Sequence, residues 1–185
     1  MQRAIPRHAV VALYLGLASM SVAAPAPAVW LDVPYVKQPK EGCGAACIVM
    51  VLQYWVAKDA GFECRVPGVE SVQRALYSPK VHGIYALDMG SYLRQKGMRV
   101  FAFRGGWGAL EENLTKGRPL IVCLREGGSL AKTLHYVIVV GVDPARNLIL
   151  VNDPAGKKLE MMHRASFEKK WRGENYWTLL AVPRS

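Results

Sequence analysis

Residues 37–55, KQPKEGCGAACIVMVLQYW, place a cysteine between two glycines directly before a long apolar run. The run is hydrophobic nearly all the way round a helical projection, which predicts a central, buried helix over residues 43–56. Cys43 is then the first residue of this helix, and Cys47 lies one turn deeper and points into the core. Because a helix N-terminus offers free N–H groups and a positive dipole end, it favours a thiolate. The stretch therefore predicts a reactive sulfur at Cys43 and an inert one at Cys47.

The rest of the chain contains segments with helical periodicity and segments with strand periodicity, and the predicted helices come mainly before the predicted strands. This order is typical of an α+β protein whose helices pack on one face of an antiparallel sheet. No linker interrupts residues 29–185, so we expect one domain there. The further predicted helices are 69–77, 87–96, 107–117 and 166–173, and the predicted strands are 29–36, 98–103, 118–124, 134–143, 147–153, 158–162 and 175–183.

The segment 1–28 reads as a secretory signal peptide. Arg3 and Arg7 precede the apolar run AVVALYLGLASM, and SVAAPAPA supplies small residues for cleavage. Cleavage after Ala28 or Ala23 leaves no proline directly behind the bond. An uncleaved anchor is the alternative, but the apolar stretch is short of the roughly 20 residues that a spanning helix needs. We therefore expect a periplasmic or secreted protein with no membrane span after cleavage.

The charge of the chain is strongly basic, with a formal net charge of +10. Its Lys and Arg residues are scattered and form no stripe interleaved with aromatic residues, so we expect no nucleic-acid partner. A basic exported protein can favour acidic substrates or an anionic envelope surface. A merely solvated basic surface is the alternative.

The four cysteines, Cys43, Cys47, Cys64 and Cys123, all follow the predicted signal, in what should be an oxidising compartment. Cys123 lies in the apolar strand PLIVCL, a typical place for a free thiol that acts as a small hydrophobic side chain. A Cys47–Cys64 disulfide is an open alternative.

A thiolate nucleophile needs a base, and His135 is the best placed of the histidines. It opens the most hydrophobic strand, HYVIVV, where a rigidly held imidazole can face a cleft. Asp153 ends the next strand, and a tight turn between the two strands makes His135 and Asp153 neighbours. Asp153 can then accept from one ring nitrogen and leave the other facing Cys43. The alternatives are a hydrogen-bonded structural histidine and an ordinary Asp-Pro turn.

Acyl transfer also needs hydrogen-bond donors for the developing oxyanion. The backbone N–H of Cys43 is one candidate, and the side-chain amide of Gln38 is the other. The alternative for Gln38 is a plain loop residue. Together these residues fit the arrangement of an activated nucleophile.

The motifs Gln38 followed by GCGAAC, then HYVIVVGVD, then LVNDPAG resemble the C39 peptidases, a family of papain-like cysteine peptidases. Their best-known members are N-terminal domains of bacteriocin-exporting transporters, which cut leader peptides after a double glycine. The resemblance covers most of residues 31–182. It implies a papain-like fold with Cys43 as nucleophile, His135 as base, Asp153 as its orienting partner and Gln38 as the oxyanion residue.

The chain departs from the family pattern in several places. The residue before the nucleophile is often acidic in the family, whereas here Gly42 stands there and Glu41 comes one position earlier. Gln38 lies five residues before Cys43, where six is usual. No transporter follows and a signal peptide precedes, so we expect a standalone, exported member rather than a cytosolic leader peptidase.

The sequence thus predicts an exported cysteine endopeptidase that hydrolyses peptides or proteins, with Gly-rich sites implied by the resemblance. We expect a monomer without cofactor or metal. A silent peptide-binding module, and a transpeptidase or deamidase that uses the same triad, are the alternatives. A zinc site built from Cys43, Cys47 and His135 is disfavoured because the two cysteines lack the usual C-x2-C spacing.

Overall fold

The structure, a computed structural model, describes residues 27–127 and 133–184. The predicted signal peptide, 1–28, therefore lies outside the described residues apart from its last two. The helices are α1 Cys43–Lys58, α2 Val69–Leu76, α3 Ala86–Gln95, α4 Trp107–Thr115 and α5 Arg164–Arg172. The strands are β1 Val29–Trp30, β2 Met98–Arg104, β3 Leu120–Glu126, β4 Thr133–Asp143, β5 Leu148–Asn152, β6 Glu160–His163 and β7 Trp177–Pro183.

The strands form one antiparallel sheet in the order β2-β7-β3-β4-β5-β6, and β1 pairs with the far end of β4. The hairpin of β4 and β5 pairs Ile138 with Asn152 and carries a bulge between Val139 and Gly141. A side chain on Gly141 would come within 2.7 Å of the Val29 carbonyl oxygen, so only glycine lets β1 cross there. This hairpin brings the start of β4 beside the end of β5.

Two apolar cores lie on the two faces of the sheet. The N-terminal helices pack on one face, where α1 contributes fully buried residues such as Ile48 and Leu52. Helices α4 and α5 cover the other face with Leu110, Phe167 and Trp171. The predicted α+β class, with N-terminal helices on an antiparallel sheet, is confirmed. The helical layer on the second face was not part of the sequence-based prediction.

The predicted entering strand over 29–36 pairs with the sheet only at Val29–Trp30. The following residues are held by single hydrogen bonds instead, for example from the Leu31 N–H to the Val140 carbonyl at 2.7 Å. Alternating apolar residues favour an extended chain, but the pattern does not say whether a neighbouring strand is in place to pair with it. Among the helices of the described part of the chain, none is long and apolar enough to cross a membrane.

Candidate active site

A tight turn leads into α1 and places Cys43 as its first residue. The Gly42 N–H donates to the Pro39 carbonyl at 3.0 Å, and the Gly42 carbonyl accepts from the Ala46 N–H at 3.0 Å. A side chain on Gly42 would meet the Pro39 ring at 2.6 Å, so the turn needs glycine there. No side chain caps the helix, and its first turn holds no acidic residue. The N-terminal N–H groups and the positive end of the dipole therefore remain next to a partly exposed sulfur.

The imidazole of His135 lies between Cys43 and Asp153. Its Nε2 is 2.6 Å from Asp153 Oδ1, and Cys43 lies close enough to the ring to act on its pKa. The side chain is only 13% exposed. Burial alone would lower the pKa of His135, but the interactions with Asp153 and Cys43 outweigh burial and raise it to about 10. The ring is therefore an imidazolium at neutral pH.

The carboxylate of Asp153 is held by the turn that it begins. Besides His135, its Oδ1 accepts from the Ala155 N–H at 2.8 Å, and the Asp153 N–H donates to the Lys157 carbonyl at 3.1 Å. Burial pushes the pKa of Asp153 upward, but the hydrogen bond and charge of His135, with two backbone N–H groups, bring it below its usual value. Asp153 is therefore ionised at neutral pH and faces a fixed partner.

Gln38 reaches the same corner of the molecule through its backbone. Its N–H donates to the carbonyl of Pro154, the residue after Asp153, at 3.0 Å. Its side-chain oxygen Oε1 is buried and has no hydrogen-bond partner within the described ranges. The structure thus brings Cys43, His135 and Asp153 into one cluster and ties Gln38 to the Asp153 turn. The role of Gln38 as an oxyanion donor stays a prediction.

Two residues that support this cluster were not assigned a role from the sequence. The Tyr35 hydroxyl lies 3.1 Å from the Asp153 carbonyl oxygen and 3.0 Å from the Gly156 carbonyl oxygen. The fully buried Asn152 donates from Nδ2 to the Val33 carbonyl, and its Oδ1 accepts from a backbone N–H, both at 3.0 Å. In the sequence, the amide of Asn152 at the end of an apolar strand is a weak signal for such a role. The sequence around Tyr35 gives no signal.

Two of the other cysteines, Cys47 and Cys123, are not placed to react. Cys47 and Cys123 are buried, and burial is the main cause that raises the pKa of each, to about 12 for Cys123. All four cysteines are free thiols, so the alternative of a Cys47–Cys64 disulfide is not realised. Within residues 27–127 and 133–184, no three His, Cys, Asp or Glu side chains are grouped so as to hold a metal ion.

An imidazole on a strand of an antiparallel sheet, near a thiol at the start of a helix and beside a carboxylate that follows the next strand, is an arrangement that papain-like cysteine peptidases use. The sequence model of the Peptidase_C39 like family matches residues 30–177. The chain belongs to this family, whose members and structural neighbours are cysteine peptidases. The fold and the family that the motifs indicated are both confirmed.

Solved structures of similar proteins share this fold. A C39-like protein of Bacillus anthracis superposes with a TM-score of 0.67 at 16% identity, covering 86% of this chain and 100% of that one. A double-glycine-motif protease from a PCAT transporter, solved with its leader peptide, gives 0.64 at 23% identity over 84% and 95% of the two chains. Xylellain, a cysteine protease of Xylella fastidiosa, gives 0.63 at 12% identity over 88% of each. No curated protein sequence matches the chain.

Proposed function

We propose that this protein is an exported cysteine endopeptidase with Cys43 as nucleophile, His135 as general acid and base, and Asp153 as the residue that orients His135. One observation carries the proposal: the largely buried imidazole of His135 is hydrogen-bonded to Asp153 Oδ1 at 2.6 Å and also interacts with Cys43. A structural histidine needs one such partner, whereas a nucleophile and its base need both.

In the proposed mechanism, the reacting form is an ion pair between the Cys43 thiolate and the His135 imidazolium. The raised pKa of His135 keeps the ring protonated at neutral pH, and the N-terminus of α1 favours the negative sulfur. Asp153, whose pKa is lowered, stabilises the imidazolium and fixes the plane of the ring.

In the first half of the reaction, the sulfur attacks the carbonyl carbon of a peptide bond. The new C–S bond pushes the carbonyl electrons onto oxygen, and the oxyanion accepts hydrogen bonds from the Cys43 N–H and the Gln38 side-chain amide. As the C–N bond breaks, the imidazolium of His135 gives its proton to the leaving amine. An acyl-enzyme thioester remains.

In the second half, the neutral imidazole removes a proton from water, and the resulting hydroxide attacks the thioester. The C–S bond then breaks, the acid product leaves, and the thiolate–imidazolium pair is restored. The PCAT relative cuts at a double glycine motif, and we propose peptide substrates with Gly-rich sites for this chain also.

Export remains a proposal that rests on the N-terminal signal pattern. N-terminal sequencing of the protein from the periplasmic and culture fractions tests it, with a start at Val29 or Ala24 as the expected result. Material that still starts at Met1 and sediments with membranes would mean an uncleaved anchor instead.

The catalytic assignment is tested with a thiol-reactive peptide and mass spectrometry of the purified protein. We expect labelling confined to Cys43, lost in Cys43→Ala and slowed in His135→Ala, with His163→Ala as the matched histidine control. Cys64 is the internal control because its sulfur is also partly exposed. Equal labelling of Cys64 and Cys43 would contradict the assignment.

Product analysis by mass spectrometry separates hydrolysis from the two other readings. Peptides cut by the wild type but not by Cys43→Ala support the endopeptidase. A ligated product after addition of a nucleophilic amine indicates a transpeptidase. A peptide bound equally by the wild type and Cys43→Ala, and cut by neither, indicates a binding module.

A further inference from the structure

Glu41, two residues before Cys43, has a backbone conformation that is unfavourable for any residue except glycine. Its φ is +56°, in the left-handed region where Cβ crowds the backbone. It lies in the turn that the hydrogen bond from the Gly42 N–H to the Pro39 carbonyl closes. Non-glycine residues stay in this region when the surrounding contacts hold them there.

The contacts that hold Glu41 come from the end of α2 and the hairpin that follows it. The Tyr77 hydroxyl donates to Glu41 Oε2, and His82 Nδ1 lies 3.4 Å from Glu41 Oε1. Gln73 Nε2 donates to the backbone carbonyls of Lys40 and Glu41 at 3.4 and 3.3 Å. We call Glu41, Tyr77 and His82 the carboxylate clasp.

The carboxylate of Glu41 is ionised at neutral pH. The hydrogen bond from Tyr77 is the main cause that lowers the pKa of Glu41, and the interactions with His82 and Lys40 act in the same direction. An ionised acceptor makes a stronger hydrogen bond with the Tyr77 hydroxyl than a neutral carboxyl would.

Two packing contacts connect the clasp to the nucleophile, one through Gly42 and one through the hairpin that contains His82. Gly42 is buried against the Pro39 ring, so a shift of Glu41 must move the residue that enters α1. The hairpin is closed by a bridge between Ser78 and Gly83. Ile84, directly after it, lies 3.2 Å from the point where a Gly44 side chain would begin. The hairpin and the first turn of α1 are therefore one packed unit, and the clasp joins them.

We propose that Glu41 is a positioning residue, which through Tyr77 and His82 sets the direction in which the backbone N–H and the sulfur of Cys43 meet the substrate. The inference rests on the proposed function, because this direction matters when Cys43 is the nucleophile. The side chains of His82 and Glu41 are 75% and 32% exposed. Exposed ion pairs contribute little to stability, so the main effect of losing the clasp should fall on catalysis.

The test compares Glu41→Ala, Glu41→Gln and Tyr77→Phe in the full chain. Glutamine removes the negative charge but keeps an oxygen that can accept from the Tyr77 hydroxyl. The difference between the alanine and glutamine variants therefore measures the hydrogen bond separately from the charge. Glu112→Ala is the matched control, since Glu112 is another exposed acid with a cationic partner, Lys116, on α4 at the opposite face of the sheet. The readouts are kcat and KM for peptide cleavage, the rate of Cys43 alkylation by iodoacetamide, and the melting temperature.

We expect Glu41→Ala to lower kcat by about tenfold or more while KM changes by less than about threefold, since misplacement of a reacting group acts on the transition state. Glu41→Gln should stay within about threefold of the wild type, and Tyr77→Phe should fall between the two variants. Glu112→Ala should match the wild type in kcat and in melting temperature.

Equal kcat values for Glu41→Ala and Glu41→Gln, or an effect confined to KM, would overturn the inference. If Glu41→Ala does not fold, Tyr77→Phe decides, because it removes a single hydroxyl; an unchanged kcat would then refute the clasp. If the wild type cuts no peptide, the proposed function fails by itself. The clasp is then judged on the alkylation rate of Cys43, which should be lower in Glu41→Ala than in Glu41→Gln.

Discussion

The charge of Asp153 offers the most direct test of the proposed catalytic geometry. In Asp153→Asn, the side-chain oxygen can still accept from His135 Nε2 and the Ala155 N–H, which lie 2.6 and 2.8 Å from Oδ1. That variant therefore removes the charge and keeps the orientation of the ring. Asp153→Ala removes both.

The expected magnitude follows from the pKa of His135. Its rise from 6.5 to about 10 corresponds to a preference of about 5 kcal/mol for the imidazolium over the neutral ring. Asp153 and Cys43 both stabilise the imidazolium, and together they outweigh the cost of burying its charge. A hydrogen bond to a charged group contributes about 1.5–3 kcal/mol, so either variant should lower the pKa of His135 by about 1–2 units.

The assay is the pH dependence of Cys43 alkylation, followed by mass spectrometry, together with an NMR titration of the His135 ring. The alkaline limb of the wild-type profile should lie near pH 10, where His135 loses its proton. In both variants it should move toward neutral pH. Asp153→Ala should in addition be slower at every pH, because the ring is no longer oriented. A His135 titration unchanged in both variants would refute the reasoning.

The pair of His135 and Asp153 also predicts how the stability of the protein depends on pH. The raised pKa of His135 means that its contribution is complete below pH 6.5 and is lost as the pH rises through about 10. The lowered pKa of Asp153 means that its contribution is complete above pH 3.8 and is lost as the pH falls through the folded-state value. The difference in unfolding free energy between the wild type and Asp153→Ala, measured in urea, should therefore be largest between pH 3.8 and pH 6.5, where both contributions are complete. A difference that does not vary with pH would contradict the ion pair.

Two further substitutions test the parts that hold the site. Tyr35→Phe removes the hydroxyl that donates to the carbonyls of the Asp153 turn. It should lower the free energy of unfolding in urea by about 1 kcal/mol and slow the alkylation of Cys43. Unchanged values in both assays would show that the hydroxyl is dispensable. Gly42→Ala would place Cβ 2.6 Å from the Pro39 ring, whereas Gly44→Ala meets its nearest side-chain atoms at 3.2 Å. The first should therefore cost about 1–3 kcal/mol and slow alkylation, and the second should cost less; equal losses would mean that the turn is not the tight element described here.

The secondary structure was largely predictable because its signals are local. The apolar run after Cys43 predicted a helix over 43–56, and α1 spans Cys43–Lys58. The alternation in HYVIVVGVD predicted a strand over 134–143, and β4 spans Thr133–Asp143. The predicted strand over 29–36 was mostly wrong, since its partners beyond Trp30 are a few distant hydrogen-bonding groups rather than a neighbouring strand.

The proximity of His135 and Asp153 was also predictable, because a tight turn between two strands sets their register. Their contact with Cys43 was not, because it depends on how α1 packs across the sheet. Tyr35 and Glu41 carried no distinguishing local pattern. Their hydrogen-bond partners, Gly156 and Tyr77, are distant along the chain.

The amino-acid pattern was enough to identify the candidate residues and the element that carries each: a thiol at a helix start, an imidazole at a strand start and a carboxylate at a strand end. The folded arrangement was needed to show that the three side chains come together, that the pKa of His135 rises to about 10, and that residues of α2 and the following hairpin hold the Cys43 turn. The difference lies in the range over which the interactions act. Periodicity and turn chemistry act between near neighbours in the chain, whereas desolvation, hydrogen bonding and charge pairing depend on separations in space that packing alone sets.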